Sequence, residues 1–384
     1  MTPPGAGRGT LSRRALLAAP LLFPAPGAQE EAGFTPLFDG ETLRGWRVRE
    51  GPESAFYVDG GAIVIHEGSG YPAWLASEKQ YENFDLRLEF FMQGWSDSGL
   101  YLHAPEHGRP TDVGMQIKLF HQVDTVPTRY SMGSIFPAAA PLKVNVKQGA
   151  WNTLRVLADW PSLKVWVNGE TVQDLDMERA ADLRYRLRRG YLGIASLSYP
   201  LRFRNLRIRE LPDKESWQTL YGKSADLEAN WWISEGEPEF RALGRILRCD
   251  GHGHIATKEK YRDFVMQLYI RGQKHHNGGI LFRSEGKGLK GRRYEIQLHD
   301  VEDAHFPTGS LYFFERAKYP RIQPEEWFLV QLFVEGPRVV ARINGENVLD
   351  YGRLEDAAEG HVELQAHRKG SWLEFKHVRI RRLG

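Results

Sequence analysis

The sequence predicts an all-β protein made of two tandem sandwiches. Three observations carry that prediction: a duplication of nearly the whole chain, a period-two alternation of apolar and polar residues, and an Asn-Gly turn repeated in each copy. Residues 34–210 align with 217–382. WVNGETV (Trp166 to Val172) matches RINGENV (Arg342 to Val348) at an offset of 176, which also relates Trp151 to Trp327 and MGSIF (Met132 to Phe136) to TGSLY (Thr308 to Tyr312). Tyr81 and Phe84 pair with Tyr261 and Phe264, and SGLYLH (Ser98 to His103) with GGILFR (Gly278 to Arg283), both at 180. Both copies close on one strand, LRFRNLRIR (Leu201 to Arg209) and LEFKHVRIR (Leu373 to Arg381).

Taken in order, the segments DLRLEF (Asp85 to Phe90), TLRVLAD (Thr153 to Asp159), RYEIQLHD (Arg293 to Asp300) and HVELQAH (His361 to His367) put every second residue on one face, the pattern of half-buried antiparallel strands. Asn168-Gly169 and Asn344-Gly345 each sit between two such runs, where a turn with positive φ at both central residues joins neighbouring strands. Helical periodicity is nearly absent; Glu178 to Leu187 reads as a short surface helix or a charged loop. Pro212-Asp213 reads as the linker. About ten strands per copy suit two packed sheets. The expected boundaries are a leader over 1–28, a first sandwich over 33–211 and a second over 214–384.

Composition narrows the function classes. With 51 Lys plus Arg against 49 Asp plus Glu, the chain has no one-signed field to collect phosphates, so nucleic acid is not an expected partner. Arg8, Arg13 and Arg14 precede the apolar stretch Ala15 to Phe23, and small residues end it near Ala28, the grammar of an export signal. SRRALL (Ser12 to Leu17) is similar to a twin-arginine motif, and an ordinary secretory signal is the alternative. The run is too short to remain as a membrane span. The expected location is the periplasm or outside the cell. Cys249 is the only cysteine, excluding an intrachain disulfide, and is expected to be a small buried hydrophobe. Trp46, Trp151, Trp327, Trp372, Trp231 and Trp232 are expected in the core, His275 and His276 on the surface, and RYRLRRG (Arg184 to Gly190) in a solvated loop.

LFDGETLRGW (Leu37 to Trp46), NGGILFR (Asn277 to Arg283), YEIQLHD (Tyr294 to Asp300), TGSLY, INGENV (Ile343 to Val348), ELQAH (Glu363 to His367) and the closing LEFKHVRIRRL together resemble the 3-keto-disaccharide hydrolase domain family, in two copies covering nearly the whole chain. The resemblance implies concanavalin A-like jelly-roll sandwiches, similar to lectins and glucanases. It also implies a substrate class of oligosaccharides or glycosides oxidised at C3. Fold likeness alone does not license an activity.

Strand parity sets Glu295, Gln297 and His299 on one face, and His361, Glu363, Gln365 and His367 on another, with Arg283 apart from Ile280 and Phe282. These polar rows are expected on a concave sheet able to hold a sugar. In the first copy Gln116, Lys118 and His121 replace Glu295, Gln297 and Asp300, His103 replaces Arg283, and Ala195 and Leu197 replace Gln365 and His367. The first lobe is therefore read as degenerate, or as binding a different sugar through Trp74, Trp95, Gln116, Lys118 and His121. A C3 ketone acidifies the C2 proton, so one base and one carbonyl polariser suffice to eliminate the C1 substituent, unlike the carboxylate pair of ordinary glycosidases. Glu295 is the expected base, with His367 as the second candidate base or as proton donor, and Arg283 as the enolate stabiliser. Gln297, Gln365, His299 and Glu363 are expected to hold the sugar, with Tyr312 and Lys318 nearer the loops. Asp300 is either a partner of His299, a turn former, or half of a divalent-cation site with Glu295. Oligomeric state is open, and a non-catalytic, lectin-like binding protein is the alternative function.

Overall fold

The computed structural model describes residues 32–68, 73–121, 126–356 and 358–384; the leader read at 1–28 lies outside them. The chain from Phe34 to Gly384 is one compact unit holding two β-sandwiches. In the first lobe an eight-stranded sheet, centred on Asn83–Met92, Ala150–Asp159 and Leu201–Leu211, faces a six-stranded sheet built on Ala73–Tyr81, Gly190–Ser196, Asp97–Ala104 and Met115–Phe120. In the second lobe the same two layers join into one eleven-stranded sheet, because the long strand Ile246–Thr257 serves both. Its first part (Leu247 to Cys249) pairs with Leu373–Arg382 in the convex layer, and its later part (Gly253 to Ala256) with His361–Ala366 in the concave layer.

The duplication read in the sequence recurs in detail. Asn168 and Asn344 adopt φ of 51° and 48°, followed by Gly169 and Gly345 at 81° and 86°, as a two-residue hairpin turn with positive φ requires. Each Asn Oδ1 accepts from a backbone N–H near the start of the strand before its hairpin, Thr153 at 3.0 Å and Leu329 at 2.9 Å. Tyr81 meets Phe84 edge-on at 6.4 Å, and Tyr261 meets Phe264 at 6.2 Å. Phe90 and Phe203 in one lobe, and Phe264, Phe282 and Phe375 in the other, are fully buried between the layers. Each such ring contributes about 1.5–3 kcal/mol of burial energy.

The lobes differ at their convex sheets. Asn83–Met92 alternates between buried and half-buried, whereas its counterpart Phe264–Gly272 is buried on both faces. The first lobe covers it. Leu187 and Val113 pack on Tyr269 and Leu329, Tyr185 packs on Phe333 at 4.6 Å, and Glu106 takes Lys376 at 3.0 Å and His377 at 2.9 Å. The segment Glu178 to Leu187 is thus neither a helix nor a free surface loop: it is a run of turns, and Arg186 donates to the carbonyls of Thr111 and Gly114. RYRLRRG is likewise held at this seam, Arg188 pairing with Glu215. Its basic character serves the junction between lobes.

The tryptophans divide. Trp46 and Trp231 are core residues whose indole N–H groups donate to the carbonyls of Leu37 and Leu220. Trp151, Trp327 and Trp372 are only half-buried and lie under cations, Arg204 at 3.9 Å, Lys376 at 4.4 Å and Arg248 at 4.4 Å, and Trp232 is exposed. Polar strand faces need such caps, since cation–π contact lets an indole sit at a charged surface. Cys249 is buried and its thiol is pushed up to about 12 by desolvation. His275 is exposed but His276 is buried, with Nδ1 2.9 Å from the Gln273 carbonyl.

Candidate functional site

The concave layer of the second lobe runs in the order Tyr294–His299, Asn277–Ser284, His361–Ala366, then the later part of Ile246–Thr257, with Trp231–Leu243 outermost. Its register aligns two rows of side chains. Gln297, Gly279, Gln365 and His254 form one row, and Glu295, Leu281, Glu363 and Ala256 the next. Ile280, Ile296 and Leu364 point the other way, into the core. The polar residues therefore lie outside the space between the sheets, on one concave face, as their parity predicts.

Gly279 makes this arrangement possible. A Cβ there would lie 2.3 Å from Glu295 Oε1, so only glycine lets the Glu295 carboxyl lie across the neighbouring strand. Desolvation pushes the Glu295 carboxyl up to about 7, opposed only in part by the charges of Arg293 and His254. Beside it, Glu363 is fully buried and behaves in the opposite sense. Desolvation raises it, but the facing His254 ring and hydrogen bonds from Ser234 and Ser284 outweigh that and hold it below the usual carboxylate range. His254 Nδ1 stands 3.5 Å from Glu363, at the limit of a hydrogen bond, and Nε2 stands 3.2 Å from Gln365 Nε2 and 4.0 Å from Glu235. In the tautomer protonated on Nδ1, the ring turns its N–H toward Glu363 without closing a hydrogen bond, and Nε2 accepts from the Gln365 amide. The face thus offers two unlike carboxyls: one ready to exchange a proton near neutrality, one fixed as an anion that orients a histidine.

Of the expected site residues, Glu295, Gln297, Glu363 and Gln365 are brought together; the Gln297 amide is positioned by Asn277 Oδ1 at 2.8 Å. Arg283 is not. It adopts φ 47° at a register shift, so its side chain leaves the strand's alternation. Its guanidinium donates to the carbonyls of Arg262, Asp356 and Gly336 and to Asp263, and it is 1% exposed. It clamps loops, with four of its five N–H donors engaged there. His367 lies beyond the strand end and is exposed, with His299 half-buried nearby; desolvation first, then neighbouring charges including Arg368, lowers both imidazoles. Asp300 accepts from Tyr319 Oη at 2.8 Å and from the His275 N–H at 3.2 Å, anchoring a loop and not joining Glu295. Among the described residues no three His, Cys, Asp or Glu side chains gather as metal ligands would. Lys318 pairs with Glu346 away from the face, while the Tyr312 N–H donates to the Glu295 carbonyl at 2.9 Å and so flanks the site.

Sequence reasoning missed His254, Ser234, Ser284 and Glu235. The signal for His254 was present: the repeat offset of 180 sets it against Trp74, and GHGHIA alternates so that His254 shares a face with Ala256. The first lobe shows what that exchange does. Its row reads Lys118, Gly99, Ala195, Trp74, and the next reads Gln116, Tyr101, Gly193, Ala76. The Trp74 indole lies over Gly193, where a Cβ would be 2.6 Å from the ring, and it is 2% exposed. The first lobe's hollow is filled where the second lobe keeps His254 and Glu363. Lys118 is tied to Asp97 at 2.8 Å, His121 stacks under the exposed Trp95 at 3.7 Å, and the Gln116 amide reaches the Ser98 carbonyl.

The family described as 3-keto-alpha-glucoside-1,2-lyase-like domain matches residues 33–209 and again 213–381. No curated protein matches the chain. Among solved structures, a candidate glycosyl hydrolase from Parabacteroides distasonis is 21% identical over 47% of this chain and 94% of its own, with a TM-score of 0.42. A second from that organism is 18% identical over 46% and 99%, at 0.40. The carbohydrate-binding module CBM66 of Bacillus subtilis is 16% identical over 39% and 94%, at 0.28.

Proposed function

Because the chain belongs in both halves to the 3-keto-alpha-glucoside-1,2-lyase-like domain family, and is thereby a carbohydrate-active protein, we propose that its second lobe cleaves glycosides oxidised at C3. The observation that carries this reading is the Glu295 carboxyl, buried beside the Glu363–His254 pair and poised near neutrality. Ionised Glu295 takes the C2 proton, the C–H pair forms a C2=C3 enolate, and the charge passes to O3. Collapse of the enolate expels the C1 oxygen, which takes up the proton now carried by Glu295, and water then adds to the unsaturated sugar. Positioned proton transfer of this kind contributes about 10²–10⁴-fold. Glu363 holds the His254 ring, while the Gln365 and Gln297 amides hydrogen-bond sugar oxygens, including the enolate that Arg283 is not placed to reach. The first lobe covers the convex sheet of the second and performs no chemistry.

The test is turnover of 3-keto-trehalose and a simple 3-keto-glucoside by the purified chain, compared with Glu295→Gln and His254→Gln. Retained binding with turnover lowered at least about 100-fold in Glu295→Gln supports the base. Binding without turnover by the wild-type chain on every 3-keto substrate leaves a lectin. On the leader read at residues 1–28 we place the protein outside the cytoplasm; cell fractionation that finds the intact chain in the cytosol removes that placement.

A further inference from the structure

The edge segment Thr308 to Tyr312 runs beside the Glu295 strand: Gly309 and Tyr312 donate to the carbonyls of Gln297 and Glu295 at 2.8 and 2.9 Å. Leu311 bridges Ile296 and is buried in the core, so Tyr312, one residue on and opposite Glu295, falls on the concave side. There it joins an aromatic ridge. Tyr312 lies 4.2 Å from Phe313 and 5.3 Å from Phe306, ring to ring. Phe313 is 72% exposed and sits at φ 69°, a conformation that costs a bulky side chain. Neither its burial nor its backbone is served by phenylalanine.

The first lobe shows that the turn does not need it. Ile135 bridges Ala139 there as Leu311 bridges Glu315 here, and the residues after Phe136 are Pro137 and Ala138 where the second lobe has Phe313 and Phe314. Phe314 is explained by packing on Tyr294 and Tyr351. Phe313 is not. The ring is added only in the lobe that keeps Glu295, one strand from that carboxyl.

Resting on the proposed reading of that face, we infer that Phe306, Tyr312 and Phe313 form the subsite for the group leaving from C1, and that this group is a flat apolar aglycone such as an aryl ring. Three aromatic rings offer faces for stacking but only one hydroxyl for the many oxygens of a second sugar. A second pyranose could lay only its C–H face on these rings, with a single hydroxyl to bond its oxygens, whereas a flat aryl group stacks over its whole area.

Equilibrium titration of the full chain and of Phe313→Gly, with 4-nitrophenyl glucoside and with trehalose, tests the subsite without needing turnover. The wild type is expected to bind the aryl glycoside more tightly, and Phe313→Gly to weaken it about 5–10-fold while trehalose changes less than about twofold. Thermal stability should hold or rise, because glycine accepts φ 69° without strain. Equal weakening of both ligands, no weakening, preference for trehalose, or a fall in stability would each overturn the assignment. So would loss of self-association with unchanged aryl affinity. Failure of 3-keto turnover would strike the proposed chemistry alone.

Discussion

A single carboxyl sets the acid–base behaviour expected of this protein. Glu295 is raised from 4.5 to about 7, so the ionised base accumulates only as pH passes neutrality. The ratio kcat/KM for a 3-keto substrate should rise with a midpoint near pH 7 and level off above it; a profile falling through the same region would show that the protonated carboxyl is the active form and remove Glu295 as the base. The same shift costs stability. A carboxyl with a higher pKa folded than unfolded favours the fold below pH 4.5, and that contribution is lost as pH rises through 7. Glu295→Gln should therefore match the wild type near pH 4 and exceed it by up to about 3 kcal/mol at pH 8 in denaturant titrations. Arg283 and His254 show how far single residues were legible. Parity put Arg283 in the strand's alternation, but a left-handed residue at a bulge escapes alternation, and nothing local in GGILFR announces it. His254 obeyed parity and register, and only its pairing with buried Glu363 needed the fold.

Among the elements, the Asn277–Ser284 strand matters most, because its glycine decides whether the site exists. Gly279→Ala sets a methyl 2.3 Å from Glu295 Oε1 and 2.9 Å from its Cγ, and a side chain yields more readily than a backbone. The expected result is a fall in kcat of about 10–100-fold, with thermal stability little changed. Wild-type kcat in that variant would show that Glu295 need not cross the strand. The Asn-Gly hairpins, the closing strands and the Glu295 and Gln365 rows were readable because alternation and turn chemistry are local. Concealed were the effects of partners. Phe264–Gly272 reads VMQLYI where the first copy reads DLRLEF, a loss of charge that marks a strand buried on both faces, and its cover is the charged segment Arg184 to Gly190.

At the scale of the whole molecule, the second lobe depends on the first for that cover. A fragment spanning 214–384 exposes Tyr269, Leu329 and Phe333 and leaves Lys376 without Glu106. It should aggregate or bind a hydrophobic dye, while the full chain unfolds in one transition; a soluble, dye-silent fragment with full activity would make the first lobe dispensable. The indole over Gly193 has a consequence of its own. On the proposed reading, giving the first lobe the second lobe's Glu363 by one replacement is barred from either direction: an acid at 193 collides with the Trp74 ring 2.6 Å away, and cutting back Trp74 alone opens a void with no carboxyl in it. A stoppered vessel of this kind stays shut until two changes arrive together, leaving its walls free to specialise as the buttress of its twin.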